Sequence, residues 1–119
     1  MQADLSAPKL PRPAKPAPAL KSLKGIRILS LALNLPGPAA LMRCRDMGAR
    51  CVKLEPPPHA PAHASGDPMS QYNPTAYAAL HDGVRVRVAD LKTASGQRAL
   101  QRELARADVL LTSFRPSAL

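Results

Sequence analysis

Tryptophan is absent from this chain of 119 residues, phenylalanine occurs once and tyrosine twice. A core built from such a sequence is aliphatic, and nothing resembles the interleaved aromatic and basic residues of a base-stacking platform. Only two cysteines occur, Cys44 and Cys51, with no C-x-x-C and no well-spaced histidine ligands. Two buried, reduced thiols of a cytoplasmic protein are the reading. No apolar run approaches the ~20 residues of a membrane span. The basic start of the chain lacks the continuous apolar stretch of a secretory signal. A G-x-G-x-x-G fingerprint, a Walker loop and a Ser–His–Asp pattern are all missing. Acidic residues are scarce too, so the net charge is +9. A solvated basic surface is the plain interpretation; a site for a phosphorylated anion would want the same sign.

What is present begins with a Pro/Ala/Lys-rich segment, residues 1–24, holding five Lys or Arg against one Asp. With few large apolar groups to bury and many prolines lacking an N–H, it is expected to be a disordered tail. Residues 25–119 carry the fold. "GIRILSLALNL" (25–35) is nearly continuously apolar, as in a strand covered on both faces. "PGP" ends it, with Pro38 placed to open a helix that Gly48 closes. "RCVKLE" (50–55) is a second strand, stopped by three prolines that cannot donate ladder bonds. Strand, helix and strand in this order form a right-handed βαβ unit with parallel strands. Glu55 thus falls at the carboxyl end of a strand, the edge where open α/β sheets bind ligands.

Residues 56–75 read as a long loop and "TAYAAL" (75–80) as a helical turn. "VRVRVADL" (84–91) alternates like a strand near a sheet edge. "TASGQRALQRELARAD" (93–108) is an amphipathic helix with Leu100 and Leu104 inward and Arg98, Arg102 and Arg106 outward. "DVLLTSF" (108–114) returns as a strand. The fold class is therefore α/β: a Rossmann-like parallel sheet with flanking helices, an incomplete half-domain after a disordered N-terminal tail. His59 and His63 are four apart, but Pro58 and Pro61 break any helix that would align them, so no metal site is expected. His81 and Asp82 read as solvated turn residues. Glu55 reads as a strand-end residue bonding nearby backbone N–H groups.

The order of segments adds a resemblance. Leu23–Arg27, Gly37–Pro38, Met47–Pro56, Asp90–Lys92 and Ala107–Pro116 follow, in order and spacing, the opening of family III CoA transferases. That group includes carnitine and formyl-CoA transferases and α-methylacyl-CoA racemases. The likeness implies a CoA-binding region whose contacts fall at Asn34, Leu35 and Pro36 in the first β–α turn, at Ala89 and Lys92, and at Ser113 and Phe114. It implies acyl-CoA and a carboxylic acid acceptor as partners and an interlocked homodimer; on the composition and spacing above, no nucleic acid, membrane or metal is expected. The family's nucleophilic Asp, which carries the acyl group as a mixed anhydride, lies downstream of the motifs matched here, so no catalytic residue is assigned. "HDGVRV" (81–86) stands where the family has N-R-N-K-R-S and keeps only Arg85. A non-catalytic relative, a racemase segment and a basic nucleic-acid-binding module are the alternatives. A steep loss of nucleic-acid affinity with salt would single out the last.

Overall fold

The computed structural model describes residues 21–114. The expected tail up to residue 20 and the "RPSAL" that ends the chain lie outside the described residues. Four strands, β1 (Arg27–Ser30), β2 (Arg50–Glu55), β3 (Arg85–Val88) and β4 (Val109–Leu111), form one sheet. All three pairings are parallel and the order is β3-β2-β1-β4. The register aligns Ile28 with Cys51 and with Val109, and Leu54 with Arg87. Every strand tip therefore points the same way, as the two expected crossovers require.

The apolar runs explain the layering. Ile28 and Leu29 are adjacent in the central strand, so their side chains point to opposite faces. Ile28 packs with Leu41, Ala49 and Cys51 beneath α1 (Pro36–Asp46). Leu29 packs with Leu31, Leu54 and Ala89, joined by Leu100 and Leu104 of α4 (Ala94–Arg106). Two aliphatic cores, one per face, thus replace the aromatic core this composition cannot build. Wholly buried leucines such as Leu29 and Leu41 each contribute roughly 1.5–3 kcal/mol by leaving water. Arg98, Arg102 and Arg106 are exposed, as the helical period predicts.

The boundaries differ from expectation where side chains intervene. The first strand is shorter than 25–35, because Ser30 Oγ accepts from the Ala32 N–H and Asn34 turns to a positive φ of 67°. The chain leaves the sheet there. The helix α1 opens at Pro36, two residues before Pro38, which instead occupies the third helical position. Both prolines fit in a first turn, where N–H groups have no intrahelical acceptor. The long loop contains a short helix, α2 (Met69–Tyr72), and the expected turn is a true helix, α3 (Pro74–His81). Asn73 caps α3 by accepting from the Ala76 N–H. Residues 21–24, placed with the tail by composition, form a turn in which the Leu23 N–H donates to Met47 O at 2.9 Å. Leu23 packs on the α1 core. The strand β3 lies at a sheet edge, as its alternation predicted.

Candidate functional site

Cys51, Lys53 and Glu55 alternate along β2 and so share one face, the side on which α1 and α3 lie. Burial, with Cys44 beside it, pushes the Cys51 thiol up to about 11. The next inward residue is an ammonium. Lys53 is 0% exposed, and a buried ammonium requires a partner for each of its three N–H groups. It hydrogen-bonds Asp67 Oδ2 at 2.5 Å and His81 Nε2 at 2.8 Å, and forms a salt bridge to Glu55 Oε2 at 2.9 Å.

The partners are satisfied in turn. Glu55 accepts from Ser65 Oγ at 2.5 Å and from the Tyr77 phenol at 2.6 Å. Asp67 Oδ1 accepts the N–H groups of Asn34 and Met69, each at 3.0 Å. His81 Nδ1 lies 2.6 Å from Tyr77 O, which can only accept, so Nδ1 carries the proton and Nε2 receives Lys53. Burial lowers the His81 pKa, and the nearby ammonium lowers it further. Burial alone would raise the Asp67 pKa; the hydrogen bonds from Lys53, Met69 and Asn34 outweigh it and hold the carboxyl below its ordinary value. The Tyr77 phenol is pushed up by burial and by donating to Glu55. Its ring stacks on His81 at a centroid distance of 4.0 Å, and Lys53 Nζ stands 5.4 Å from the Tyr77 centroid.

Glu55, Asp67 and His81 offer ligand atoms within 4.8 Å of one another, a spacing that could hold a metal ion. The place such an ion would take is filled by Lys53 Nζ. These groups therefore form a buried ion cluster that fixes the segment after β2 to the strand tip, and Glu55 at its margin also lines the neighbouring cleft. Two sequence readings are corrected here. His81 is buried, not solvated, because α3 carries it over β2, while Asp82 is exposed. Glu55 bonds side chains and an ammonium in place of backbone N–H groups, because Lys53 shares its face two residues away.

The carboxyl edge of the sheet also holds a cleft of about 240 Å³ on the α4 side, lined by Leu31, Leu54, Ala89, Lys92 and Phe114 among others. Three of the seven expected contact residues, Ala89, Lys92 and Phe114, meet in it. Asn34, Leu35 and Pro36 lie at the same edge in the β1–α1 turn, all exposed, and Ser113 precedes Phe114 outside the lining. A slightly larger cleft of about 280 Å³ opens at the opposite edge, among Arg27, Arg50, Arg85, Glu103 and Arg106. None of the expected residues lines it.

Electrostatics separate the two halves of the carboxyl edge. Under the β1–α1 turn, two carboxylates face one ammonium. Prolines at 36 and 38 leave Gly37 as the one N–H among the first three residues of α1. That helix terminus is a poor phosphate cradle. Beside the cleft, Lys92 is exposed and α4 begins after the Thr93 cap, with no acidic side chain in its first turn. Glu55 and Asp90 also line the cleft, so its lining carries no net positive charge; what favours an anion there is the exposed Lys92 and the amino end of α4.

Sequence signals for the ion cluster were partial. A Lys and a Glu two apart on an otherwise apolar strand predict a same-face pair. Asp67 and His81 come from 12 or more residues further along, and no local pattern ties them to Lys53.

Comparison with known proteins gives the geometry its context. The chain is 35% identical over 99 residues to the cinnamoyl-CoA:phenyllactate CoA-transferase of Clostridium sporogenes, covering 80% of this chain and 24% of that protein. It is 36% identical over 107 residues to the succinate–glutarate CoA-transferase of Agrobacterium fabrum, covering 82% and 26%. It is also 35% identical over 94 residues to the human α-methylacyl-CoA racemase, covering 79% and 21%. A crystal structure of a hypothetical protein from Mycobacterium tuberculosis superposes with a TM-score of 0.67 at 32% identity, over 84% of this chain and 27% of that one. A CAIB/BAIF family protein from Brucella suis gives a TM-score of 0.60 at 26% identity, over 82% and 27%. The chain thus spans about a quarter of the length of the curated relatives it matches. With the profile described as CoA-transferase family III matching residues 23–119, the chain belongs to that family.

Proposed function

We propose that residues 25–119 form the CoA-binding portion of a CoA transferase, whose whole activity moves CoA between carboxylic acids. What supports this most directly is the meeting of Ala89, Lys92 and Phe114 in one cleft at the carboxyl edge. At about 240 Å³ the cleft is smaller than the ~300–1,000 Å³ of sites that enclose a drug-sized ligand. It suits one portion of CoA, while the remainder runs along the strand tips. Its aliphatic walls and the Phe114 ring fit an apolar or flat part of the cofactor. Lys92 and the first turn of α4 suit the phosphates. The excess of carboxylate beneath the β1–α1 turn favours an uncharged part of the ligand at Asn34, Leu35 and Pro36.

In this reading the reacting carboxylate is an Asp of the whole protein, at a position downstream of the motifs matched here, as in the family. Its oxygen attacks the thioester carbonyl, the C–S bond breaks, and CoA departs as thiolate, leaving the acyl group on the Asp as a mixed anhydride. This chain holds the departing CoA near the anhydride, and the acceptor acid is a second carboxylate. An interlocked homodimer and a cytoplasmic setting belong to the same proposal. Among the described residues no helix is long and apolar enough to cross a membrane.

Calorimetric titration of CoA into the protein tests the reading. Binding is expected, and Lys92→Glu is expected to weaken it by at least about tenfold through charge reversal beside the phosphates. Equal heats for the wild type and Lys92→Glu would overturn the placement of the anion. Absence of any heat with the wild type would overturn CoA binding itself.

A further inference from the structure

The β1–α1 turn has one unusual residue. Asn34 is the non-glycine residue with positive φ among those described, at 67°, a conformation that costs most side chains about 1 kcal/mol or more. A contact from outside the turn supports this shape. The Asn34 N–H donates to Asp67 Oδ1 across 33 positions of sequence. Asp67 is 0% exposed and cannot swing away, because Oδ1 also receives the Met69 N–H and Oδ2 receives Lys53. The segment that carries Asp67 is itself pressed onto the strand tip. A Cβ on Gly66 would lie 2.0 Å from Pro56 O, so glycine alone permits that approach. A second tie runs from the Tyr72 phenol to Asn34 Oδ1 at 3.4 Å. The turn and the 56–72 segment thus share one anchor.

Resting on the CoA reading above, we propose that Asp67, pinned by Lys53, is a positioning residue: it holds Asn34 in the left-handed conformation that receives CoA. Asp67 touches no ligand. Its hydrogen bond uses up the Asn34 N–H, so the turn presents the Asn34 side chain, Leu35 and Pro36 outward while its backbone donor points inward. The cluster behind the sheet edge has a function in this account beyond stability, since it sets the shape of one wall of the binding edge. Lys53 and Asp67 act through Asn34, and Asn34 meets the ligand.

The experiment pairs CoA calorimetry on the full 119-residue protein with the amide resonance of Asn34 in proton–nitrogen spectra. In Asp67→Ala, the Asn34 amide loses a charged acceptor and is expected to move upfield. CoA affinity is expected to fall by about tenfold or more, the size of a lost charge-assisted hydrogen bond. Asp67→Asn keeps an oxygen for the backbone N–H groups but loses the charge, and a smaller shift and loss are expected. If Asp67→Ala does not fold, the same two measurements on Asp67→Asn decide. A folded variant that binds CoA as tightly as the wild type, or whose Asn34 resonance does not move, overturns the proposal. A wild type that gives no heat with CoA overturns the CoA reading, and the Asn34 resonance then decides the positioning role alone.

Discussion

At the scale of single residues, Lys53 decides most. It is wholly buried, donates to the Asp67 carboxylate and the His81 imidazole, and pairs with the Glu55 carboxylate in a salt bridge. Replacing it with methionine leaves Glu55 and Asp67 buried without their cation. Such one-sided removal costs about 3–5 kcal/mol, a large part of a small domain's stability. Urea denaturation of Lys53→Met is expected to show this loss as a lower midpoint. A second expectation concerns acid. The folded pKa of His81 lies below its ordinary 6.5, so the unfolded chain takes up the proton first as pH falls. Stability is full above pH 6.5 and declines as pH falls from there toward the folded value. Asp67 works in the same direction, with its window opening below 3.8. The melting temperature is therefore expected to drop between pH 7 and pH 5, and His81→Gln is expected to flatten that slope. A melting temperature constant over this range would contradict a neutral buried His81.

At the scale of elements, sequence patterns were most reliable where one helix or strand settles its own face. The helix α4 shows this: Leu100 and Leu104 pack on the sheet and the arginines at 98, 102 and 106 stay in water. Its start is set locally as well, with Thr93 Oγ1 accepting the Gly96 N–H at 3.0 Å. Thr93→Ala is expected to lower stability by about 1 kcal/mol, measured by thermal or urea unfolding, with little change in spectra away from α4. Local patterns failed where a distant side chain intervened. The first strand ends early because Asn34 is drawn to Asp67, and α3 is a full helix because Asn73 caps it and its last residue, His81, docks on Lys53. Of the expected contact residues, Ala89, Lys92 and Phe114 were brought together by parallel strand tips, which the βαβ pattern foretold. Asn34, Leu35, Pro36 and Ser113 share the edge but not the cleft.

At the scale of the molecule, the sheet has two ends and two unlike edges. Its amino ends gather arginines: Arg27 pairs in register with Arg50, and Arg85 lies opposite Val52. With Arg106 they make a cluster of four arginines, out of 17 Lys and Arg in the sequence, that lies away from the expected CoA residues. The outer strands leave apolar groups in water. Val88 is 58% exposed, Val109 46% and Leu110 47%. Apolar edge strands invite pairing with other chains. The protein alone is expected to self-associate at micromolar concentrations, and Leu110→Lys is expected to shift the sedimentation profile toward monomer. Monomer for both proteins at the same concentration would show that β4 is not the adhesive edge.

By itself, the sequence determined the parallel α/β architecture, the common direction of the strand tips and the family. Each of these rests on short-range information: apolar periodicity, proline and glycine punctuation, and motifs a few residues long. Only the tertiary structure decided what happens to Lys53, Glu55, Asp67 and His81. A buried charge is tolerated when partners meet it from all sides, and here those partners come from a strand, a loop and a helix up to 28 positions apart. No local pattern encodes that meeting, because it exists only once the segment after β2 has folded back over the sheet edge.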